Sequence, residues 1–197
     1  MRRELTALRE QMRKHNIDWY LIPSSDPHGS EYLNPHFRCR EYISGFTGSA
    51  GTLLVGMDEA YLWTDGRYFI QAASQLTGSG ISLMKSGEKD VPTVTQFLRD
   101  LSENKSSGRL TLSFDGVTVS MELGLELSGM KFNIVSEIDL VDKVWQNRPC
   151  IIPSSIYDLP FSSVGKTFEE KLSDVRMKMK NKTADFLLIS SPEEIAW

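Results

Sequence analysis

The sequence predicts an α/β domain in which helices cover a mixed β-sheet in three layers. Short apolar strands alternate with amphipathic helices along most of the chain, which favours a layered α/β fold. Two strands separated by only four residues predict an antiparallel hairpin, so the sheet is expected to be mixed. A helix–strand unit also recurs near the end of the chain, which indicates a second copy of the same kind of domain.

The first elements are a helix, a buried strand and a long loop. Apolar residues recur at helical spacing: Leu5, Leu8 and Met12. The helix is predicted to end near His15, and the apolar run 19–22 predicts a buried strand that Pro23 stops. Residues 23–51 are rich in Pro, Gly, Ser, His and Asn and predict an ordered loop with a little strand near 41–43.

The middle of the chain predicts the hairpin, a helix and a further strand. Apolar runs at 52–55 and 60–63 flank the turn sequence Gly-Met-Asp-Glu. A helix is expected at 67–76, followed by a strand at 81–84. The helix carries one apolar face: Phe69, Ala72, Ala73 and Leu76.

The last part of the domain continues the alternation. Pro92 suits the first turn of a helix that runs to about Ser102. Its apolar stripe consists of Val94, Phe97, Leu98 and Leu101. The elements that follow are a strand at 110–114, a helix at 120–127, a strand at 132–135 and a short helical segment at 140–145.

Two segments align without gaps at a constant offset of 167 residues (5 to 172, 18 to 185). The positions that coincide include Arg9 with Arg176, Met12 with Met179 and Asp18 with Asp185. A single helix and strand cannot bury their apolar faces alone. We therefore expect the chain to be the beginning of a larger protein.

The domain boundaries follow from the repeat and from composition. Residues 1–149 are predicted to form the first domain, and 150–165, with several prolines and serines, to form a linker. Residues 166–197 are predicted to begin the second domain. Thr167 and Glu170 have the spacing of a capping box that opens its helix.

Composition narrows the class of protein. The net charge of −4 offers no basic face for phosphates, so no nucleic-acid partner is expected. The apolar runs are too short to span a bilayer, and neither a membrane partner nor a signal peptide is expected. Cys39 and Cys150 lack metal-ligand spacing and are expected to be reduced thiols of a cytoplasmic protein.

Three motifs invite a chemical interpretation, and for each a structural role is favoured. The loop 45–52 resembles a phosphate loop but lacks its lysine and leads into a strand, so its glycines are expected to allow a tight turn. For Cys39, a buried unreactive thiol is favoured over a thiol–imidazole nucleophile. A third motif crowds four possible metal ligands into one loop: Asp26, His28, Glu31 and His36. No spacing makes them converge, and Asp26 is expected to accept backbone amides in a turn.

The corner Asp65-Gly66-Arg67 lies where a strand ends and a helix starts. Gly66 is expected to let the backbone turn, and Asp65 to cap the helix N-terminus. Two roles stay open for Arg67. It is either an Asp-paired structural residue, or a planar donor fork aimed at a carbonyl or carboxylate beyond the domain.

Several long motifs in one order carry a family resemblance. They are Ile-Pro-Ser-Ser-Asp-Pro-His at 22–28, Ser-Glu-Tyr at 30–32, Ser-Gly-Phe-Thr-Gly-Ser-Ala-Gly-Thr at 44–52, Trp-Thr-Asp-Gly-Arg-Tyr-Phe at 63–69 and Leu-Val-Asp-Lys-Val-Trp at 140–145. Together they resemble the N-terminal domain of the aminopeptidase P family, the three-domain X-Pro aminopeptidases of the creatinase/prolidase group. Asn-Pro-His-Phe at 34–37 departs from the pattern expected after Ser-Glu-Tyr.

The resemblance implies two related domains of ribonuclease-H-like architecture, followed by a catalytic domain that this chain does not contain. It implies removal of an N-terminal residue before proline, with two divalent metal ions, usually manganese, held by two Asp, one His and two Glu of that absent domain. No residue of this chain takes a catalytic or metal-binding role. Arg67 matches an arginine that contacts bound peptide. The resemblance further implies a cytoplasmic homodimer whose N-terminal domain supports the dimer and restricts access.

Three alternatives remain at this point. The chain could be a stand-alone dimerisation or interaction module, or the N-terminal domain of an X-Pro dipeptidase (prolidase). A ribonuclease-H-like nuclease would need carboxylates such as Asp65 and Asp115 to converge on a magnesium pair beside a basic groove, which the charge balance disfavours.

Overall fold

The structure, a computed structural model, describes residues 2–104 and 108–197. The chain divides into two compact units, with the boundary between Ile151 and Ile152. In the described residues the first unit contains the β-sheet, and the second contains helices and irregular backbone. The first unit carries the candidate site.

Six strands form one mixed sheet in the order β4-β3-β2-β1-β5-β6. Their bounds are β1 Trp19–Pro23, β2 Thr52–Gly56, β3 Ala60–Thr64, β4 Ser82–Lys85, β5 Leu110–Phe114 and β6 Phe132–Val135. Strand β2 runs antiparallel to β1 and β3, whereas the other neighbouring pairs are parallel. Every strand except β2 therefore ends at the same side of the sheet, which we call the carboxyl edge.

Helices cover both faces of this sheet. Those of the first unit are α1 Arg3–Lys14, α2 Cys39–Ser44, α3 Phe69–Gln75, α4 Val94–Glu103 and α5 Met121–Ser128. On one face, Tyr20 and Ile22 of β1 pack with α1, α2 and α3; on the other, Trp19 and Leu21 pack with α4 and α5. Alternate residues of a strand point to opposite faces, so a strand buried on both faces is apolar throughout. The predicted three-layer α/β architecture is confirmed.

The predicted strand near 41–43 is wrong, because these residues lie in helix α2. Cys39 and Ile43 are one helical turn apart and are both buried in the core that α1 shares. Both edges of β1 are already paired, with β2 and with β5, so the segment has no place beside it in the sheet. Gly45 ends the helix with φ of 73°, a left-handed conformation that glycine adopts without strain.

Two predicted helix starts shift by one or two residues. Thr93 and Gln96 form a capping box, so α4 begins after Thr93, and Pro92 lies just outside the first turn. The carbonyl of Pro92 instead accepts the indole N–H of Trp63 at 2.8 Å. Helix α3 begins at Phe69 and is preceded by a 3-10 turn.

Residues 138–149, which we call the closing segment, form hydrogen-bonded turns instead of the helix predicted at 140–145. Tyr20 holds the start of the segment: its hydroxyl accepts the backbone N–H of Leu140 at 3.0 Å and donates to the carbonyl of Ile138 at 3.3 Å. Burial raises the pKa of Tyr20 far above its ordinary value. Farther along, the N–H of Trp145 donates to the carbonyl of Val141 at 2.9 Å, so the segment makes one helix-like bond that does not continue into a helix.

Two further contacts fix the closing segment. The ring of Tyr42 stacks on Trp145 with centroids 4.3 Å apart and an interplanar angle of 6°. The Arg148 side chain, only 7% exposed, donates to the Asp139 carboxylate at 2.5 Å and to the carbonyl of His36 at 2.9 Å. We call these contacts the Arg148 clasp. The bond to His36 joins parts of the chain that are 112 residues apart in sequence.

Arg40 is a buried cation beneath the glycine-rich loop, residues 45–51. Its Nε donates to Ser24 Oγ at 2.7 Å, Nη1 to the carbonyl of Phe46 at 2.8 Å, and Nη2 to the carbonyl of Gly48. Within the described part of the chain, no carboxylate forms an ion pair with it. Burial lowers the pKa of Arg40 to about 10, so the guanidinium remains charged at neutral pH.

The loop also lies close against β3. The hydroxyl of Ser24 donates to the carbonyl of Gly51 at 2.8 Å, and Thr64 Oγ1 donates to the carbonyl of Ala50 at 2.7 Å. A Cβ at Gly51 would lie 2.7 Å from the carbonyl oxygen of Trp63, so only glycine allows this approach. The predicted structural role of the glycines is confirmed here, and the loop leads into strand β2 as expected.

The second unit contains α6 Phe161–Val164, α7 Phe168–Asn181 and α8 Pro192–Ala196. Thr167 and Glu170 form the predicted capping box of α7. The one-turn helix α6 lies inside the segment predicted as a linker. Residues 186–189, which the repeat aligns with the strand at 19–22, form no strand, because the described second unit offers no other strand to pair with. Among the described helices, none has both the length and the apolar character needed to cross a bilayer.

Arg40→Met is expected to lower the free energy of unfolding by about 2–4 kcal/mol, because it leaves buried carbonyls of the loop without donors. Urea denaturation followed by circular dichroism measures the change. Arg38→Met is the matched control, since Arg38 is the exposed arginine two residues away, and its effect should stay below about 0.5 kcal/mol. Equal effects of the two variants would contradict the role given to Arg40.

Tyr20→Phe is expected to lower the free energy of unfolding by about 1–2 kcal/mol, because the buried N–H of Leu140 loses its acceptor. Tyr61→Phe serves as the control: its hydroxyl bonds the exposed Glu59 carboxylate, which water can solvate instead. The same denaturation experiment applies. If Tyr20→Phe proved as mild as Tyr61→Phe, the phenol would not be what fixes the closing segment.

Candidate functional site

A groove of about 740 Å³ opens at the carboxyl edge of the sheet in the first unit. Its walls come from the ends of β1, β3 and β4, from the glycine-rich loop and from the start of α4. Three described lining residues are charged: Glu31, Asp65 and Arg67. Crevices outside the carboxyl ends of strands are the usual ligand sites of open α/β sheets, so the position suits a binding site.

Asp65 and Arg67 form a corner at the end of β3. Asp65 directly follows β3, and its Oδ1 accepts the backbone N–H of Arg67 at 3.1 Å. The predicted cap is therefore confirmed, on the 3-10 helix Gly66–Tyr68 that precedes α3. A Cβ at Gly66 would meet only Phe69, at an ordinary 3.8 Å. The turn thus has room for a side chain at Gly66, although the sequence had suggested that glycine is needed there to let the backbone turn.

The Arg67 guanidinium pairs with Asp65 along one of its edges. Nε donates to Oδ1 at 2.8 Å, and Nη2 donates to Oδ2 at 2.8 Å. These hydrogen bonds hold the pKa of Asp65 at about 2 and raise the pKa of Arg67 above its ordinary value. Both groups are therefore charged at any pH at which the protein would work.

The second edge of the guanidinium remains available. Arg67 keeps 70% of its side chain exposed, and its charged end lies 5.3 Å from the ring centroid of Tyr68. A guanidinium carries five N–H donors, of which Asp65 takes two. In the described part of the chain the edge formed by Nη1 and the other N–H of Nη2 makes no hydrogen bond. The ion pair and an outward donor fork are thus compatible.

The glycine-rich loop is tied to helix α3, which begins beside Arg67. Ser49 Oγ and the hydroxyl of Tyr68 lie 2.7 Å apart. Thr47 Oγ1 accepts from the side-chain amides of Gln71 and Gln75, each at 2.9 Å. Sequence reasoning missed these contacts and the role of Arg40, because each joins residues that the fold brings together.

The loop that carries the four possible metal ligands, residues 26–36, contains a hydrogen-bonded turn at Asp26. The carboxylate of Asp26 accepts the backbone N–H groups of His28 and Ser30, both at 3.0 Å, which confirms the predicted turn. Burial acts to raise the pKa of Asp26, but the hydrogen bonds outweigh it and leave that pKa below its ordinary value. Nδ1 of His36 lies 2.8 Å from the carbonyl of Pro149 and helps to hold the closing segment.

Metal binding has no support among the described residues. No group of three or more His, Cys, Asp or Glu side chains is arranged there to hold a metal ion. The divalent ions that the resemblance implies therefore have no fitting ligands among the described residues.

Cys39 is not built as a nucleophile. Burial raises the pKa of its thiol to about 12, although Nη2 of Arg148 donates to the sulfur at 3.2 Å. Reactive cysteines need a depressed pKa and solvent access, so the predicted unreactive thiol agrees with this environment. Cys150 is exposed, and neither cysteine is in a disulfide.

Asp65 and Asp115 do not converge. Asp65 follows β3 and Asp115 follows β5, which are three positions apart in the sheet, or about 14 Å at the usual strand spacing. Asp65 is committed to Arg67, and Asp115 Oδ1 accepts the backbone N–H of Val117 at 3.0 Å. Burial raises the pKa of Asp115. These two carboxylates therefore do not form the pair that the nuclease alternative would need.

Comparison with known sequences identifies one family twice. Two models of the creatinase/prolidase N-terminal domain match the chain, one over residues 4–144 and the other over residues 147–197. The second match begins close to the boundary between the two units and covers the segment that repeats the first helix–strand pattern.

Curated relatives match nearly the whole chain. The probable Xaa-Pro aminopeptidase P of Coprinopsis cinerea is 38% identical over 201 residues, which cover 99% of this chain and 32% of the relative. The corresponding protein of Neosartorya fischeri is 41% identical over 98% of this chain and 30% of its own length. The chain thus spans about a third of the length of these relatives.

Solved structures agree with the fold. The X-prolyl aminopeptidase from Caenorhabditis elegans, a cytosolic enzyme with a di-nuclear active site, superposes with a TM-score of 0.79 at 32% identity over 92% of this chain and 31% of that chain. The X-Pro aminopeptidase from Thermotoga maritima, at 21% identity and a TM-score of 0.53 over 73% of this chain and 35% of that chain, supports the fold alone. With its architecture, its motifs and both sequence matches in agreement, the chain belongs to the creatinase/prolidase N-terminal domain family.

Proposed function

We propose that this chain is the non-catalytic N-terminal part of an X-Pro aminopeptidase, which releases the N-terminal residue that precedes a proline. The observation that carries the proposal is the identity of 38–41% with Xaa-Pro aminopeptidases P along almost the whole chain. The chain covers only 30–32% of those relatives. The catalytic residues are accordingly assigned to the part of the protein outside this chain.

The same proposal covers the cofactor, the assembly and the compartment. The full-length protein is a cytoplasmic homodimer that uses two divalent ions, manganese, bound by its catalytic part. The cytosolic relative from Caenorhabditis elegans with its di-nuclear active site supports the compartment and the number of metal ions. The first domain, residues 1–149, is followed by a linker and by a second related domain that begins at residue 166. The N-terminal domain supports the dimer and limits access to the active site.

Arg67 is the residue through which this chain contacts substrate. Its free edge offers parallel N–H donors at the rim of a groove, held in a fixed plane by the pair with Asp65. Rigid positioning of a binding group reduces the entropy lost when substrate binds. Asp65 and the backbone at Gly66 act as supports for this geometry, not as contacts to substrate.

An X-Pro dipeptidase is the runner-up. The Xaa-Pro dipeptidase from Bacillus anthracis superposes with a TM-score of 0.50 at 22% identity over 71% of this chain and 34% of that chain, a likeness in fold only. The dipeptidase and the aminopeptidase can be distinguished by substrate length, since a dipeptidase accepts Xaa-Pro alone and an aminopeptidase accepts longer peptides.

A stand-alone interaction module without catalytic activity is the other alternative.

The 197-residue chain is expected to release no N-terminal residue from Xaa-Pro peptides, with or without manganese, because the described residues hold no fitting metal ligands. Chromatographic detection of the freed amino acid measures this, with the full-length protein as the active comparison. Release by the chain alone would overturn its assignment as non-catalytic, and inactivity of the full-length protein would favour an interaction module.

Arg67→Ala in the full-length protein is expected to lower kcat/KM for Xaa-Pro peptides by about 10–100-fold, the worth of one or two charge-assisted hydrogen bonds. Circular dichroism and metal content should not change. Arg99→Ala is the matched control, because Arg99 is exposed and paired with a carboxylate, that of Glu126 at 3.4 Å, away from the groove. Unchanged kinetics for Arg67→Ala would remove Arg67 from the site.

A further inference from the structure

The two copies of the helix–strand repeat share the turn in which their helices, α1 and α7, end. In the first copy, the N–H of Ile17 donates to the carbonyl of Met12 at 2.9 Å. In the second copy, the N–H of Ala184 donates to the carbonyl of Met179 at 3.0 Å. Both residues of each bond are related by the offset of 167 residues. The chain therefore leaves α7 through the same turn by which it leaves α1 for β1.

One residue in each turn has a left-handed backbone conformation. Asn16 has a φ of 55° and Thr183 a φ of 52°, and the same offset relates them. Asparagine tolerates this region, whereas a β-branched residue such as threonine adopts it only under strain. The second copy thus keeps the turn even where its residue type disfavours it.

The turn after α7 leads to an exposed apolar run. The residues at 186–189 are Phe, Leu, Leu and Ile, and all four are exposed. The corresponding run at 19–22 is buried throughout, between two neighbouring strands and under helices on both faces. An apolar run of this kind is stable only when strands cover its edges and other elements cover its faces. The run at 186–189 therefore needs partners that the described second unit does not supply.

Two charged side chains of the first copy bind the neighbours of β1. Nε of Arg9 donates to the carbonyl of Gly56 at 2.9 Å, and Gly56 lies opposite Trp19 on the antiparallel strand β2. Oδ2 of Asp18 accepts the N–H of Thr111 at 2.7 Å, on the parallel strand β5. Each bond ties β1 to one neighbour at a defined residue. Such ties help to set the register, and a slip of one residue would reverse the faces of the strand.

The second copy keeps both charged groups. The corresponding residues are Arg176 and Asp185, and both are exposed. The hydroxyl that holds the closing segment is not kept, because Leu187 takes the place of Tyr20. The repeat has thus retained the two side chains that bind neighbouring strands, but not the one that binds the closing segment.

We infer that residues 185–189 bind two extended segments of the same protein, from the part outside this chain, and become a strand between them. One segment is antiparallel to the run, and Arg176 donates to one of its main-chain carbonyls. The other is parallel, and Asp185 accepts one of its main-chain N–H groups. The inference rests on the second related domain of the proposed function and assigns the residues that assemble it. Such segments have a source, because this chain covers only 30–32% of its curated relatives.

Hydrogen exchange of the main-chain amides at 186–189, followed by mass spectrometry, tests the strand. In the full-length protein these amides should exchange about 100-fold more slowly than in the 197-residue chain, because pairing with neighbouring strands protects them. Equal exchange in the two proteins would overturn the inference. Protection in the 197-residue chain that increases with its concentration would also overturn it, because the run would then pair with a second copy.

Substitutions in the full-length protein test the two charged residues. Arg176→Met and Asp185→Ala should each accelerate exchange at 186–189 by about tenfold, the effect of one lost hydrogen bond, and leave 19–22 unchanged. Lys180→Met is the matched control, because Lys180 is an exposed cation of the same helix, and its effect should stay below about twofold. If the other two variants were as mild as this control, the role given to their side chains would be wrong.

The first copy provides the reciprocal experiment. Arg9→Met and Asp18→Ala should accelerate exchange at 19–22 and leave 186–189 unchanged, because each pair of charged residues serves its own strand. A variant of either pair that accelerated exchange equally at both runs would contradict this division.

Peptidase activity of the same full-length samples separates this inference from the proposed function. Protected amides at 186–189 in a protein that releases no residue from Xaa-Pro peptides would contradict the proposed activity alone. Unprotected amides at 186–189 in an active protein would contradict the inference alone.

Discussion

One buried positive charge organises the carboxyl edge of the sheet. Removing a guanidinium from water costs several kcal/mol unless protein groups replace its hydration. For Arg40 these groups are the hydroxyl of Ser24 and two carbonyls of the glycine-rich loop. The loop must therefore close over Arg40, which places it at the end of β1. From there Thr47 bonds two glutamines of α3, and Ser49 bonds Tyr68, the residue before that helix. Arg67 precedes Tyr68 and so lies at the rim of the groove.

The regular elements could be predicted because their signals are local. Strands β5 and β6 are apolar runs between polar or glycine-containing turns, and they lie where the sequence placed them. Helix α2 could not be predicted, because a helix of six residues is too short to show helical periodicity. It contains one apolar i, i+4 pair, Cys39 and Ile43. The cap at Asp65 could be predicted from the sequence, because the N-cap preference is local. The hydrogen-bond partners of Arg40 could not be predicted, because its acceptors come together only in the folded chain.

The internal repeat shows how far local pattern determines structure. The helices α1 and α7 both form, since capping and amphipathicity act within a few residues. Of the two matching apolar runs, only β1 is a strand, with β2 on one side and β5 on the other. In the second copy, Phe186 and Leu188 are 93% and 92% exposed. A strand needs neighbouring strands to pair with, so two similar apolar runs have different structures in the first and the second unit.

The Arg148 clasp has a mechanical consequence. The chain leaves the first unit after Ile151. Just before this point, Arg148 is bonded to the Asp139 carboxylate and to the carbonyl of His36, while the carbonyl of Pro149 contacts the His36 ring. Tension transmitted from residues beyond this point would load those bonds together before it reached β6. The clasp therefore protects the edge of the sheet from forces that arise elsewhere in the protein.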